Sequence, residues 1–324
     1  LLEIFFQNLI SPAILFFILG AFAGYLKSDL NVPESMGRYL SIYLMMSIGF
    51  KGGVSVSEID QFSNNIILTI SSGILLSFTL PFLGYFFLTK TTNLDKPTSA
   101  ALAAHYGSVS IVTFATAINF LQTNNIIFSG YMVSILALME APAILSGLYL
   151  AHRVAPETNK HSKEERILAR EIFTNGAVLL IIGSFIVGSI SGNNGLEKVA
   201  PFIVDPFQGI ICMFMLDMGL IVTRNLQHLK SISFSTVLFG IYMPIISAII
   251  GKIFATFIGL NVGDMTLLIV LCASSSYIAV PAAMRLALPE AKSSIYIPIS
   301  LGVTFPLNIM FGIPLYLWLS QASY

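Results

Sequence analysis

Two stretches of the sequence gather small hydroxyl residues inside otherwise apolar surroundings: GSVSIVTFATA at 107–117 and ASSSYIAVPAA at 273–283. A hydroxyl both donates and accepts, so such a run can hold an anion through its O–H groups or a cation through its lone pairs. Serine and proline together also weaken a helix. In hydrocarbon, an unpaired backbone N–H or C=O is so costly that a helix break survives only where protein or a water-filled cavity surrounds it. A broken membrane helix presents the free N–H groups and positive dipole end of its second half, which suit an anion. The residues able to serve are Gly107, Ser108, Ser110, Thr113 and Thr116 in the first stretch, and Ser274, Ser275 and Ser276, followed by Pro281, in the second. The competing reading is plain packing, since Gly, Ala, Ser and Thr let membrane helices approach closely. Either stretch alone fits packing; as a matched pair they point to a binding site.

Ionisable residues within apolar segments are the second signal, because they are costly there and face a cavity or a partner. Glu140 in ALMEAPAI and Asp217 in MFMLDMGL are the two clear cases. Glu140 precedes Pro142 by two residues, and Thr304 stands in the same relation to Pro306. A carboxylate beside a proline-loosened carbonyl can ligate Na+; it can equally be protonated, or bonded to a neighbouring helix. Asn308 can add an amide oxygen to the same ion or cap freed backbone. Asp217 reads as part of a moving interface or gate. His105, just ahead of the first stretch, reads as a hydrogen-bonded packing residue, and Lys51 as a side chain that snorkels to the membrane surface. Arg285 reads as an interface anchor.

The elements that must position these residues are transmembrane helices. The 324 residues are 56% hydrophobic and only 10% charged, against roughly 25% charged in soluble domains. Apolar runs such as 66–88 and 237–260 exceed the roughly 20 residues that span a bilayer. Ten spans are expected: 11–26, 36–56, 63–89, 97–121, 126–152, 172–191, 202–223, 233–259, 264–287 and 293–320. The polar stretch 152–171 divides them into two halves, residues 1–155 and 172–324, joined by a linker over 156–171 with a short amphipathic helix expected at 164–171. The halves resemble one another in order: MMSIGFKGGVS (45–55) with MLDMGLIVTRN (215–225), the two hydroxyl stretches, and MEAPAI (139–144) with VTFPLNI (303–309). Five spans per half forces the second half in from the opposite side, an inverted repeat. Of the 16 Lys and Arg residues, all but Lys51, Lys198 and Lys252 then fall on one side. By the positive-inside rule that side is cytoplasmic, with both termini outside an inner-membrane protein.

The balanced charge gives no basic surface for nucleic acid, and no P-loop, GxGxxG, zinc-ligand or nucleophile-elbow motif is present. Cys212 and Cys272 read as buried apolar residues. The chain opens on Leu1, so its natural start is expected to lie upstream. The residues alone thus describe an all-α polytopic secondary transporter for a small anion, in which coupling to Na+ or H+ fits the hydroxyls and carboxylates without being required by them.

The ten-span arrangement, GSVSIVTFATA, ASSSYIAVPAAMRLALP and MEAPAI together resemble the sodium-dependent bicarbonate permeases, over about Pro12 to Leu319. The resemblance implies a gate of spans 1, 2, 6 and 7, a core of spans 3–5 and 8–10 with spans 4 and 9 crossing, elevator-like movement and a trimeric assembly. It implies bicarbonate held by Gly107, Ser108, Val109, Ser110, Thr113, Ser274, Ser275 and Ser276 with Na+ alongside, no other cofactor, and a PII-like cytoplasmic regulator as in some relatives. Ile111, Val112 and Tyr277 stand where the family pattern is polar or acidic. Two other readings remain: an organic-anion:Na+ symporter of the bile-acid-transporter type, and an anion channel.

Overall fold

The structure, a computed structural model, describes residues 2–57, 64–154, 176–229, 232–277, 280–281, 284 and 288–322. The linker over 156–171 and Arg285 lie outside these. The described helices are α1 (Leu2–Leu9), α2 (Pro12–Tyr25), α3 (Glu34–Ser57), α4 (Asn64–Thr91), α5 (Lys96–Ala104), α6 (Ile111–Thr123), α7 (Met132–Val154), α8 (Gly176–Ile203), α9 (Phe207–Leu229), α10 (Phe234–Ile258), α11 (Val262–Ala273) and α12 (Ser293–Gln321). Among the described residues six of these, α3, α4, α7, α9, α10 and α12, are long and apolar enough to cross a membrane, and α2, α6 and α11 are shorter apolar helices. The protein is a polytopic, mostly helical membrane protein.

Four of the ten expected spans are not among these six, and the one expected at 11–26 is the 14-residue α2. The span expected at 97–121 is interrupted between α5 and α6, and the one expected at 264–287 is interrupted after Ala273. The helix expected to end at 191 continues to Ile203 through a non-helical Gly192 at φ +55°, which bends it.

Prolines shape the long helices. A proline has no N–H for the carbonyl four residues earlier, and in a membrane that carbonyl must find another donor. Pro244 in α10 frees the Gly240 carbonyl, which accepts the Thr304 hydroxyl at 2.8 Å. Pro314 in α12 frees the Met310 carbonyl, which accepts from Asn8 Nδ2 at 3.0 Å. The same amide group lies 3.0 Å from the Ile309 carbonyl, so α1 docks on α12. Pro306 lies between two π-helical turns, Ser300–Thr304 and Asn308–Gly312, where the helix widens to absorb it.

The packing falls into two sets. In one, α2 lies against α9 and α3 against α8. These pairs cross almost backbone to backbone: a Cβ on Gly20 or Gly219 would strike the other helix, as would one on Gly53 or Gly188. In the other set α4 packs on α5 and α7, and α10 and α12 pack on α11. Within it, α5 is buried from Thr98 to Ala104 and α11 from Gly263 to Ala273, so these two half-length helices lie enclosed by the rest.

Both buried helices are pinned at their N-termini by like devices. At α5, Asp95 accepts from the Thr98 amide at 2.8 Å, while Lys292 pairs with Asp95 at 3.0 Å and its own amide donates to the Thr98 hydroxyl. Partial burial pushes the Asp95 carboxyl up. Bonds from the Thr98 hydroxyl and amide, and the Lys292 ammonium, outweigh this and hold it below its ordinary value. At α11, Asn261 accepts from the Asp264 amide at 2.9 Å, and Asp264 in turn accepts from the Ser129 amide and hydroxyl at 2.6 and 2.7 Å. The chain entering α12 thus ties down α5, and the chain entering α7 ties down α11.

Candidate functional site: two facing helix breaks

After Ala104 the chain leaves the α-helix through a turn, with the His105, Tyr106 and Gly107 amides bonding three residues back. The next helix begins at Ser110, which caps α6 by accepting from the Thr113 amide at 3.1 Å and from the Thr113 hydroxyl at 2.9 Å. After Ala273 it departs again, with Ser274 extended at φ −70°, ψ 164°. Ser276 then accepts, at a long 3.5 Å, from the Val280 amide four residues on. Each hydroxyl stretch therefore holds a break, and at the first of them Ser110 caps the helix that follows. The breaks touch: the Ser276 amide donates to the His105 carbonyl at 2.9 Å, and the Ser110 hydroxyl lies 3.4 Å from the Tyr277 hydroxyl.

Gly107, Ser108, Val109, Ser110, Thr113, Ser274, Ser275 and Ser276 are all buried. Gly107 is required by space, because a side chain there would drive into Pro81 and into the Ser77 carbonyl that Pro81 leaves without its helical donor. Ser274 returns its hydroxyl to the Val270 carbonyl of its own helix at 2.7 Å. Ser275 differs: its Oγ is buried and has no hydrogen-bond partner. A buried hydroxyl without a partner is unfavourable unless something else satisfies it.

Glu140, on α7, faces the first break. Its carboxylate accepts the Ser108 hydroxyl at 2.9 Å and the Val109 amide. Thr304, besides donating to Gly240, lies 2.7 Å from the Tyr106 hydroxyl. Asn308 donates to the Ala273 carbonyl at 2.8 Å, at the very end of α11, and accepts from the Tyr316 hydroxyl at 2.7 Å. Of the two roles open to Asn308, the structure contains the backbone cap. Glu140, Thr304 and Asn308 each serve a break or its neighbour, yet share no hydrogen-bond partner with one another. Asp217 lies apart, its Oδ2 over Gly37 between α3 and α9. His105 is buried with Nδ1 2.6 Å from the Ala101 carbonyl and its ring 5.0 Å from that of Tyr296; Nε2 has no partner.

Several contributors escape sequence reading. Tyr106, Asn8, Tyr316, Ser129 and the Asn261–Asp264 pair act through partners over 100 residues away or through π turns; only the isolated polarity of Asn8 in an apolar segment is a local signal. Tyr277 was legible as a departure, and the structure adds that its ring packs edge-on against Phe305 at 5.3 Å. Among the described residues no group of three His, Cys, Asp or Glu side chains gathers to hold a metal. The oxygens near the breaks come instead from hydroxyls, carbonyls and single carboxylates, a set suited to hard monovalent cations and to anions.

A search of curated proteins returned no match. The model of the Na+-dependent bicarbonate transporter superfamily, a family of carriers and not of enzymes, matches residues 12–321. With its two facing helix breaks and near-complete match, the chain belongs to the Na+-dependent bicarbonate transporter superfamily.

Proposed function

We propose that the protein is a secondary active transporter that imports bicarbonate or a similar small anion together with Na+, the anion bound between the two helix breaks. The observation carrying this reading is the pair of breaks in contact, beside the unpartnered Ser275 hydroxyl. Two opposed sets of N–H groups and hydroxyls offer an anion donors from both sides, without the cost of desolvating a full cationic side chain. Gly107, Ser108, Val109, Ser110, Thr113, Ser274, Ser275 and Ser276 form the anion site. Na+ draws on the Glu140 carboxylate and on remaining lone pairs of Thr304 and the Asn308 oxygen.

The chain is read as ten spans in two inverted five-helix repeats, 1–155 and 172–324, with the 156–171 linker in the cytoplasm and both termini outside the inner membrane. The matched staples at α5 and α11, the matched prolines 81 and 244, and the glycine crossings of α2 with α9 and α3 with α8 support this. The set α2, α3, α8 and α9 serves as gate, with Asp217 in its interior, and α4–α7 with α10–α12 as the moving core of an elevator. A trimer and a PII-like cytoplasmic regulator belong to the same proposal. The aromatic wall of Tyr277 and Phe305 beside Ser110 favours one second reading, a carboxylate with a small apolar tail.

Radiolabelled bicarbonate uptake into proteoliposomes, with and without an inward Na+ gradient, tests the proposal. Saturable uptake accelerated by the gradient is expected; uptake indifferent to Na+ would remove symport, and pyruvate outcompeting bicarbonate would favour the second reading.

A further inference from the structure

A cavity of about 460 Å³ opens where α3, α6, α7, α8 and the start of α9 come together, on the side of the 124–131 loop. Its walls mix apolar side chains, Ile118, Val133 and Phe207 among them, with the polar Lys51, Ser55, Gln122 and Asn193. Lys51 is the one cationic side chain in the lining, and its ammonium rests 3.7 Å above the centroid of the Phe207 ring. Among the described residues no carboxylate pairs with it. A lysine within a membrane helix is costly and is retained where it faces a cavity that gives it a partner. A ring face is a weak partner for an ammonium, and an oxyanion is a stronger one.

The position of the cavity connects it with the breaks. Ile118 stands seven residues after Ile111, the first residue of α6, and Val133 seven residues before Glu140 on α7. At 1.5 Å per residue, both helices lead from the cavity wall to the first break in about 10 Å. The cavity also lies on the seam between the α2–α3–α8–α9 set and the rest, the seam that sliding of one set past the other would open.

We infer that this cavity is a capture site for a small oxyanion, in which the Lys51 ammonium leaves the Phe207 ring to pair with the anion before it reaches the breaks. The inference rests on the outward orientation and on the anion transport proposed above. The ligand class is a monovalent oxyanion small enough for the cavity, bicarbonate or a short carboxylate. The apolar part of the wall strengthens the pairing, and among the described residues no carboxylate competes for the ammonium.

The test uses the full chain with Phe207→Trp as reporter and the native tryptophan, Trp318, replaced by Phe. Bicarbonate titration at constant ionic strength is expected to change the indole emission saturably, because the ammonium moves off its face. Lys51→Met should abolish the response, Lys51→Arg should retain it, and Ser275→Ala should leave it unchanged. Lys51→Gln serves as a second neutral variant if Lys51→Met fails to fold. No response in the reporter protein, a response that persists at the same midpoint in the neutral variants, or loss of the response in Ser275→Ala would overturn the inference. Uptake is measured in parallel: Lys51-dependent binding in a protein that takes up no bicarbonate would support the capture site and remove the transport proposal instead.

Discussion

Asn308→Asp exchanges one NH2 group for one oxygen and leaves the shape of a buried side chain intact. In the protein the amide nitrogen donates to the Ala273 carbonyl at 2.8 Å, and the amide oxygen accepts from Tyr316 at 2.7 Å. The aspartate keeps the second bond and turns the first into a contact between two oxygens. Losing the bond costs about 1 kcal/mol, and leaving the carbonyl unsatisfied another 1–3, for a total of about 2–4 kcal/mol. Asn308→Ala strands the Tyr316 hydroxyl as well and should cost about 3–5 kcal/mol, including the small cavity it leaves. Tyr316→Phe should cost about 1–3 kcal/mol alone and much less in the Asn308→Ala background, since the partners share one bond. Thermal unfolding of purified protein reads these losses as shifts of roughly 2–4 °C per kcal/mol. The series should keep these differences in K+, because the cap joins protein to protein, and Asn308→Ala should lose further stability in Na+ where its oxygen also holds the ion. Wild-type stability in Asn308→Asp, or losses present only in Na+, would refute the claim that Asn308 holds the end of α11.

Glu140→Gln should cost about 1–2 kcal/mol, because a neutral amide replaces a carboxylate accepting from Ser108 and Val109; thermal unfolding beside uptake measures it. Gly53→Ala and Gly188→Ala should each destabilise by about 1–3 kcal/mol by forcing α3 and α8 apart. Gly183→Ala, open to space, should be neutral or slightly stabilising in the same melts. Asp95→Ala should cost about 1 kcal/mol as a lost helix cap, and Asp95→Asn less. Because the Asp95 carboxyl is held below its ordinary value, its contribution is complete above the unfolded carboxylate range. It is lost as pH falls through that range to the folded value, so the wild-type and Asp95→Ala melts should converge in acid.

Much of this architecture is written locally. The hydroxyl stretches announce themselves because serine runs are out of place in apolar helices, and both prove to be breaks, the first closed by Ser110 as a cap. Helix limits follow the polar punctuation, as at α10 and α12. Where reading falls short, the cause is a partner distant in sequence. Asn308 reads as an ion ligand or a cap with equal force until α12 and α11 are seen side by side, since the choice depends on where the Ala273 carbonyl points. The staple on Asp264 joins residues 129 and 264, and nothing near either one marks it. Lys51 shows the same limit: its sequence suggests an interfacial anchor, and only the packing of α9 sets its ammonium over Phe207 and into a cavity.

Ser275 separates function from stability most cleanly. Its hydroxyl is buried without a protein partner, so removing it should leave the melting behaviour unchanged or slightly improved, within about 0.5 kcal/mol. If that hydroxyl donates to the transported anion, Ser275→Ala should raise the half-saturation for bicarbonate uptake about tenfold in proteoliposomes, and Ser108→Ala combined with it should do so further. Unaltered uptake kinetics in the stably folded double variant would contradict an anion site between the two breaks.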